Sequence, residues 1–242
     1  MVKHVRLWIS RPRFESVPGY TILILLQLQF NLNLCGYSYI KRARMKIRTS
    51  STELKHLLIA WIAISFAFTV LTKRWMILNL SWVSVFILST ITVGSAFIFH
   101  ELAHKFVAQS YGSWSEFRME PFMLFIAILL PFFLPFIFAA PGAVMIFNPY
   151  LTREESGKIA LAGPMMNVAL AMMFLPLFYF SHGLFRYVGY FGMFINAWLA
   201  LFNMIPISVL DGKKVLAWDR RIYTFALLIA LSVLILNELI VV

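Results

Sequence analysis

Cysteine and aspartate are nearly absent from this chain of 242 residues. There is one cysteine, Cys35, and the aspartates are Asp211 and Asp219. A single thiol excludes an internal disulfide and cannot build a thiolate metal site. Any metal must be held by histidine and carboxylate, and only five histidines are available. Charge is also scarce: 13% of residues are charged and 61% are hydrophobic. Soluble domains carry about 25% charged and about 45–50% apolar residues. One water-facing domain of this length cannot hide so much apolar surface, whereas lipid removes the problem.

The net charge of +11 is unevenly distributed. Residues 1–50 hold nine Lys and Arg against one acid, Glu15, which is +8 of the total. These residues are not interleaved with a nucleic-acid-binding motif, and no nucleic-acid partner is expected. A basic flank beside a hydrophobic span marks the cytoplasmic side of a membrane.

Residues 1–44 read differently from the rest. Leu26 to Leu34 alternates apolar and polar residues, a strand period that would set amides against lipid. We expect this stretch to be a poorly ordered leader or a mis-assigned extension upstream of Met45; an amphipathic surface segment is the alternative. Residues 45–242 form the expected transmembrane domain.

Apolar runs follow at Leu57–Leu71, from Trp75 or Leu80 through Phe99, at Ile159–Phe180, at Val188–Leu210 and from Ile222 to the end. A further run, Phe122–Ala140, contains Pro131 and Pro135 and ends at Pro141, so it is expected to be broken or re-entrant. Ala140–Asn148 has turn residues before a short β-prone run and suggests a membrane-associated β-hairpin. The expected fold is an all-α polytopic membrane protein with about five to six transmembrane helices. Lys41–Lys55 places the N-terminal flank in the cytoplasm, and Lys213, Lys214, Arg220 and Arg221 agree with it. Alternation then sets the His100–His104 end of the second span on the cytoplasmic side, although Lys73 and Arg74 fall outside.

His100-Glu101-Leu102-Ala103-His104 matches H-E-x-x-H. Residues four apart share one face of a helix, so both imidazoles can address one ion. Glu101 is placed to take a proton from water beside that ion. Two histidines and a glutamate ending an apolar run are costly without a function, about 2.5–3.5 kcal/mol for a charge at a helix centre. The plain alternative is a span ending at Phe99 with a wet extension. Asp211 follows another span and ranks first as third ligand, with Pro206 breaking the helix and Gly212 allowing a close backbone approach. Glu116 and Glu120 are the competing carboxylates. His4, His56 and His182 lack partners at helical spacing, and Asp219 reads as a loop ion pair beside Arg220 and Arg221.

Three motifs in this order, His100-Glu-Leu-Ala-His104, Gly163-Pro164-Met-Met-Asn167 and Asn203-x-x-Pro206-x-x-x-x-Asp211-Gly212, resemble the site-2 protease family of intramembrane zinc metalloproteases, closest to its compact archaeal branch. The resemblance covers about residues 57–242. It implies one zinc ion per chain held by His100, His104 and Asp211, with Glu101 as general base. It implies that Asn203 stands near the metal to stabilise the oxyanion or position substrate. Asn167 would line the same cavity, held by a Gly163-Pro164 turn. Pro141, Gly142, Ala143 and Val144 would lie in the hairpin that presents a transmembrane protein or peptide as an added strand. The chain shows no PDZ-like or cystathionine-synthase-type regulatory domain, and Ser208-Val209-Leu210 lacks the extra proline or glycine often found before the Asp-Gly pair. A catalytically silent binder or chaperone and a metal transporter remain the rival classes, although no internal repeat of the transporter kind is visible.

Overall fold

The computed structural model describes residues 48–241 apart from residue 77, residues 138–140 and residue 208. The expected leader, residues 1–44, lies outside the described residues. Seven helices and two strands follow in order: α1 (Ser51–Trp75), α2 (Trp82–Ser110), β1 (Trp114–Met119), α3 (Pro121–Phe132), β2 (Gly142–Phe147), α4 (Arg153–Phe180), α5 (Gly183–Asn203), α6 (Asp211–Trp218) and α7 (Arg220–Val241). Five of them, α1, α2, α4, α5 and α7, are long and apolar enough to cross a membrane. The fold is therefore the expected bundle with a small sheet.

Sequence sets the helix boundaries. Ser50 caps α1 by accepting the Glu53 backbone N–H. Thr152 and Glu155 form a reciprocal capping box at the start of α4, which begins before the apolar run does. Among the described residues Asp219 has no ion-pair partner: its carboxylate accepts the N–H groups of Arg221 and Ile222 and opens α7. An N-cap is the stronger use of a carboxylate at a helix start, because it satisfies otherwise orphaned donors. The Pro206 ring ends α5 earlier than hydrophobicity suggests, at Asn203 rather than Leu210.

Helix α2 contains a π-helical turn at Thr90–Gly94, one turn before the histidine motif. The Trp61 indole N–H from α1 donates to the Thr90 carbonyl within it, at 3.1 Å. Such turns re-aim the helix that follows them.

Alanine is frequent in the interior, beside larger residues such as Leu88, Phe117, Met193 and Met204, while many large apolar residues face outwards. Ala60, Ala67, Ala96, Ala108, Ala171, Ala197, Ala200 and Ala230 are fully buried. Phe122, Met173, Phe180, Phe225 and Leu239 are largely exposed. This inverts the pattern of a water-soluble bundle and suits helices that associate in lipid through close backbone approach.

Strands β1 and β2 pair antiparallel, with Phe117 opposite Val144 and Met119 opposite Gly142. The expected hairpin at Ala140–Asn148 is only its second strand; the first lies before α3, and the connection is the proline-containing run itself. Helix α3 leaves β1 at Glu120. Its far end meets the C-terminal end of α1, where the Trp75 indole donates to the Pro131 carbonyl at 2.9 Å. The chain is back beside β1 at Pro141, whose carbonyl accepts the Glu120 N–H at 2.9 Å. The run thus enters and leaves beside one end of α1, as a re-entrant segment does.

A buried ion pair ties these parts together. The Lys105 ammonium, one residue past His104, donates to Glu53 Oε2 at 2.6 Å and to Thr49 Oγ1 at 2.7 Å. Glu53 Oε1 accepts the Phe117 N–H of β1 at 3.0 Å. Both charged side chains are fully buried. One carboxylate therefore joins α1, α2 and the sheet. Removing one partner of such a pair costs about 3–5 kcal/mol, because the other charge is left uncompensated. Glu53→Ala should destabilise the protein by about that much in a detergent unfolding titration, and adding Lys105→Met should recover part of the loss.

Candidate metal centre

His100 and His104 stand one turn apart on α2, with Nε2 atoms 2.9 Å apart and ring centroids 4.6 Å apart. Asp211 Oδ2 lies 3.3 Å from His100 Nε2 and 3.2 Å from His104 Nε2. All three residues are buried, and their ligand atoms fall within 4.8 Å of one another. Among the described residues no other group of three metal-binding side chains converges.

Asp211 arrives from the far end of the chain. After α5 ends, tight turns carry the backbone from Met204 to Leu210, and Asp211 is the first residue of α6. A Cβ on Gly212 would lie 2.1 Å from the Met204 carbonyl oxygen, so only glycine lets the two backbones close in this way.

The outer nitrogens of both imidazoles are engaged. His104 Nδ1 lies 2.7 Å from the Ile159 carbonyl oxygen of α4, which can only accept, so Nδ1 carries the proton. His100 Nδ1 lies 2.5 Å from Asn167 Oδ1, also on α4. With both protons on Nδ1, both Nε2 lone pairs face the Asp211 carboxylate. Three electron-rich atoms then converge with no donor between them, an arrangement that a cation resolves. Two neutral imidazoles and one carboxylate are a catalytic zinc donor set, which leaves one position open, and outward Nδ1–H bonds are the usual support for such ligands.

Glu101 lies next to His100 in sequence, and its Oε2 accepts the Val144 N–H of β2 at 3.1 Å. Antiparallel alternation then turns the backbone groups of Gly142, Val144 and Ile146 away from β1, towards α2. Pro141 and Ala143 instead face β1 with their backbone groups. Asn167 is fully buried and contacts the outer face of His100. Gly163 and Pro164 form no turn, because α4 runs through both. A helix does the same work better, since one rigid face delivers Ile159, Gly163 and Asn167 at four-residue intervals. The Asn203 amide donates to the Leu199 carbonyl of its own helix at 3.0 Å. Glu116 is buried in the sheet and paired with Arg118, and Glu120 is exposed before α3; neither enters the cluster. His56 Nδ1 accepts the Met119 N–H at 3.4 Å, and His182 is exposed. His4 lies outside the described residues.

Gly163 has a role that the motif alone does not reveal. A Cβ there would fall 2.4 Å from His104 Nε2 and 2.6 Å from His100 Nε2. Helix α4 therefore packs its bare backbone against both ligands. Gly163→Ala should leave the helical circular dichroism spectrum unchanged yet weaken zinc binding by about tenfold or more, measured by competition with a chromophoric chelator.

No protein-family model matches the chain, and no solved structure matches it. A curated protein of Methanocaldococcus jannaschii, provisionally named a zinc metalloprotease, is 48% identical to it over 178 residues. That alignment covers 73% of this chain and 89% of the archaeal protein. Identity at that level over most of both chains shows common descent: this chain belongs to the zinc metalloprotease family of that relative.

Proposed function

We propose that this chain is an intramembrane zinc endopeptidase of the site-2 protease type, cutting peptide bonds of transmembrane protein or peptide substrates. The observation that carries this reading is a buried His100–His104–Asp211 cluster on a membrane-length helix, with the Glu101 carboxylate beside it and a strand edge within hydrogen-bond reach. By the rise of an α-helix, His104 and His100 stand about 9 and about 15 Å along the axis from the C-terminal end of α2. That depth suits a cut within or at the edge of the bilayer.

When bound, zinc supplies Lewis acidity, polarising the scissile carbonyl and bringing the pKa of water near 7. Glu101 Oε2 takes the proton from the attacking water and returns it to the departing amine, so no net proton is consumed in the chemical step. His100 and His104 keep their protons on Nδ1 throughout, held by Asn167 and Ile159. A transmembrane helix hides its peptide bonds in internal hydrogen bonds and must unwind before it is cut. The outward backbone groups of Gly142 and Ile146, with the Val144 carbonyl, offer the unwound segment replacement partners, while the Val144 N–H stays on Glu101. Asn203 would reach substrate only after releasing the Leu199 carbonyl.

The basic residues Lys158, Lys213, Lys214, Arg220 and Arg221 gather at the end of the bundle that holds the site, a charge pattern that supports reading this end as cytoplasmic. In a Cys35→Ser background, Lys214→Cys should react with a membrane-impermeant maleimide from the cytoplasmic side only; reaction from the outside alone refutes the orientation. For the chemistry, purified protein in liposomes is given single-span substrates. Glu101→Gln should keep one zinc per chain and lose at least about a hundredfold in cleavage rate. Asp211→Ala should lose the zinc. A wild-type protein without zinc, or a Glu101→Gln variant as active as wild type, would sink the protease reading and favour a binder or transporter.

A further inference from the structure

We propose that Asn196 on α5 is a positioning residue for the metal centre, acting through Asn167 to fix which nitrogen of His100 carries the proton. The inference rests on the zinc reading above and extends it to a residue that touches neither metal ligand nor substrate.

Asn167 and Asn196 are both fully buried. The Asn167 amide donates to the Ala96 carbonyl at 3.1 Å and to Asn196 Oδ1 at 2.9 Å. Both of its N–H bonds are thus used, and its carbonyl is left for His100 Nδ1. Asn196 in turn donates to the Gly192 carbonyl at 2.8 Å, which turns its own carbonyl towards Asn167.

The direction of this chain follows from its ends. The two ends of an amide have almost the same shape, so only hydrogen bonding decides which way it faces. Backbone carbonyls can accept but never donate. Gly192 therefore fixes Asn196, and Asn196 together with Ala96 fixes Asn167. If Asn196 were reversed, two N–H groups would confront each other, and Asn167 would turn its NH₂ group towards His100. His100 Nδ1 would then accept, its proton would move to Nε2, and that proton would occupy the lone pair needed for the metal. Two buried carbonyls on separate helices thus set the tautomer of a ligand through two side-chain amides. An asparagine inside an apolar helix is expensive, and this role accounts for it.

The test uses full-length protein in detergent with ¹⁵N-labelled histidine. In metal-free wild type, the ¹⁵N spectrum should show His100, assigned by its loss in His100→Ala, as the Nδ1–H tautomer. Asn196→Leu removes the amide and should mix the two tautomers while weakening zinc affinity by about tenfold or more. Asn196→Asp, in its neutral acid form, keeps an O–H donor for the Gly192 carbonyl and an acceptor facing Asn167, and should restore the tautomer and most of the affinity. The unfolding temperature of the metal-free variants separates positioning from folding, since a structural role alone would lower it without moving the tautomer. An Asn196→Leu protein with wild-type tautomer and affinity overturns the proposal. If that variant does not fold, an Nε2–H form of His100 in metal-free wild type still overturns it. A wild type that binds no zinc refutes the metalloprotease reading instead, while its His100 spectrum continues to decide the relay.

Discussion

Everything near the centre of this protein answers to one electrostatic constraint. Two imidazole lone pairs and a carboxylate are brought within van der Waals range inside an apolar bundle. Left alone they repel, and burial in an apolar bundle weakens the screening that would relieve them. The surrounding helices hold that arrangement open for a cation. Helix α4 supplies acceptors behind each histidine and a bare glycine against their ring edges. The break after α5 delivers the carboxylate, and the sheet holds Glu101 to one side. Most of these are backbone elements, and the Asn167 amide behind His100 is itself held by Ala96 and Asn196.

The same rule governs the polar groups farther out. Glu53 and Lys105 neutralise each other in a fully buried site, and each finds a second partner. Asn167 and Asn196 terminate on backbone carbonyls. A polar group placed in such an interior is kept when it finds partners on several helices at once. The result is a bundle packed through alanines together with larger apolar side chains and registered by a few hydrogen-bonded nodes. Small residues permit close approach but many sliding positions; the nodes select one.

How much of this was legible in the sequence depended on the range of the interaction. The His100–His104 pair is visible because a helix guarantees that residues four apart share a face. Asp211 stood out because aspartate is rare and a proline precedes it. The helices were visible from their apolar runs, with ends displaced wherever a cap or a proline overrode hydrophobicity. The partner strand of β2 was hidden, because pairing across an inserted membrane segment leaves no local signature. Glu53 was hidden for a related reason: Ser50-x-x-Glu53 spells a capping box, yet only Ser50 caps, and the carboxylate turns to α2 and β1. Gly163 and Pro164 looked like a turn, but inside an apolar helix that pair marks close packing instead. Asn196 carried only the weak signal of an amide within a span.

Chain order gives the re-entrant segment a further significance. The ribosome releases the histidine helix and β1 first, then α3, and only afterwards the strand that bonds Glu101. Gly163, Asn167 and Asp211 emerge later still. A nascent chain that has made α2 but not yet folded α3 back on α1 holds Glu101 and the two histidines without the parts that align them. The metal-binding cluster is therefore completed late, once Asp211 has emerged and only α6 and α7 remain to be made.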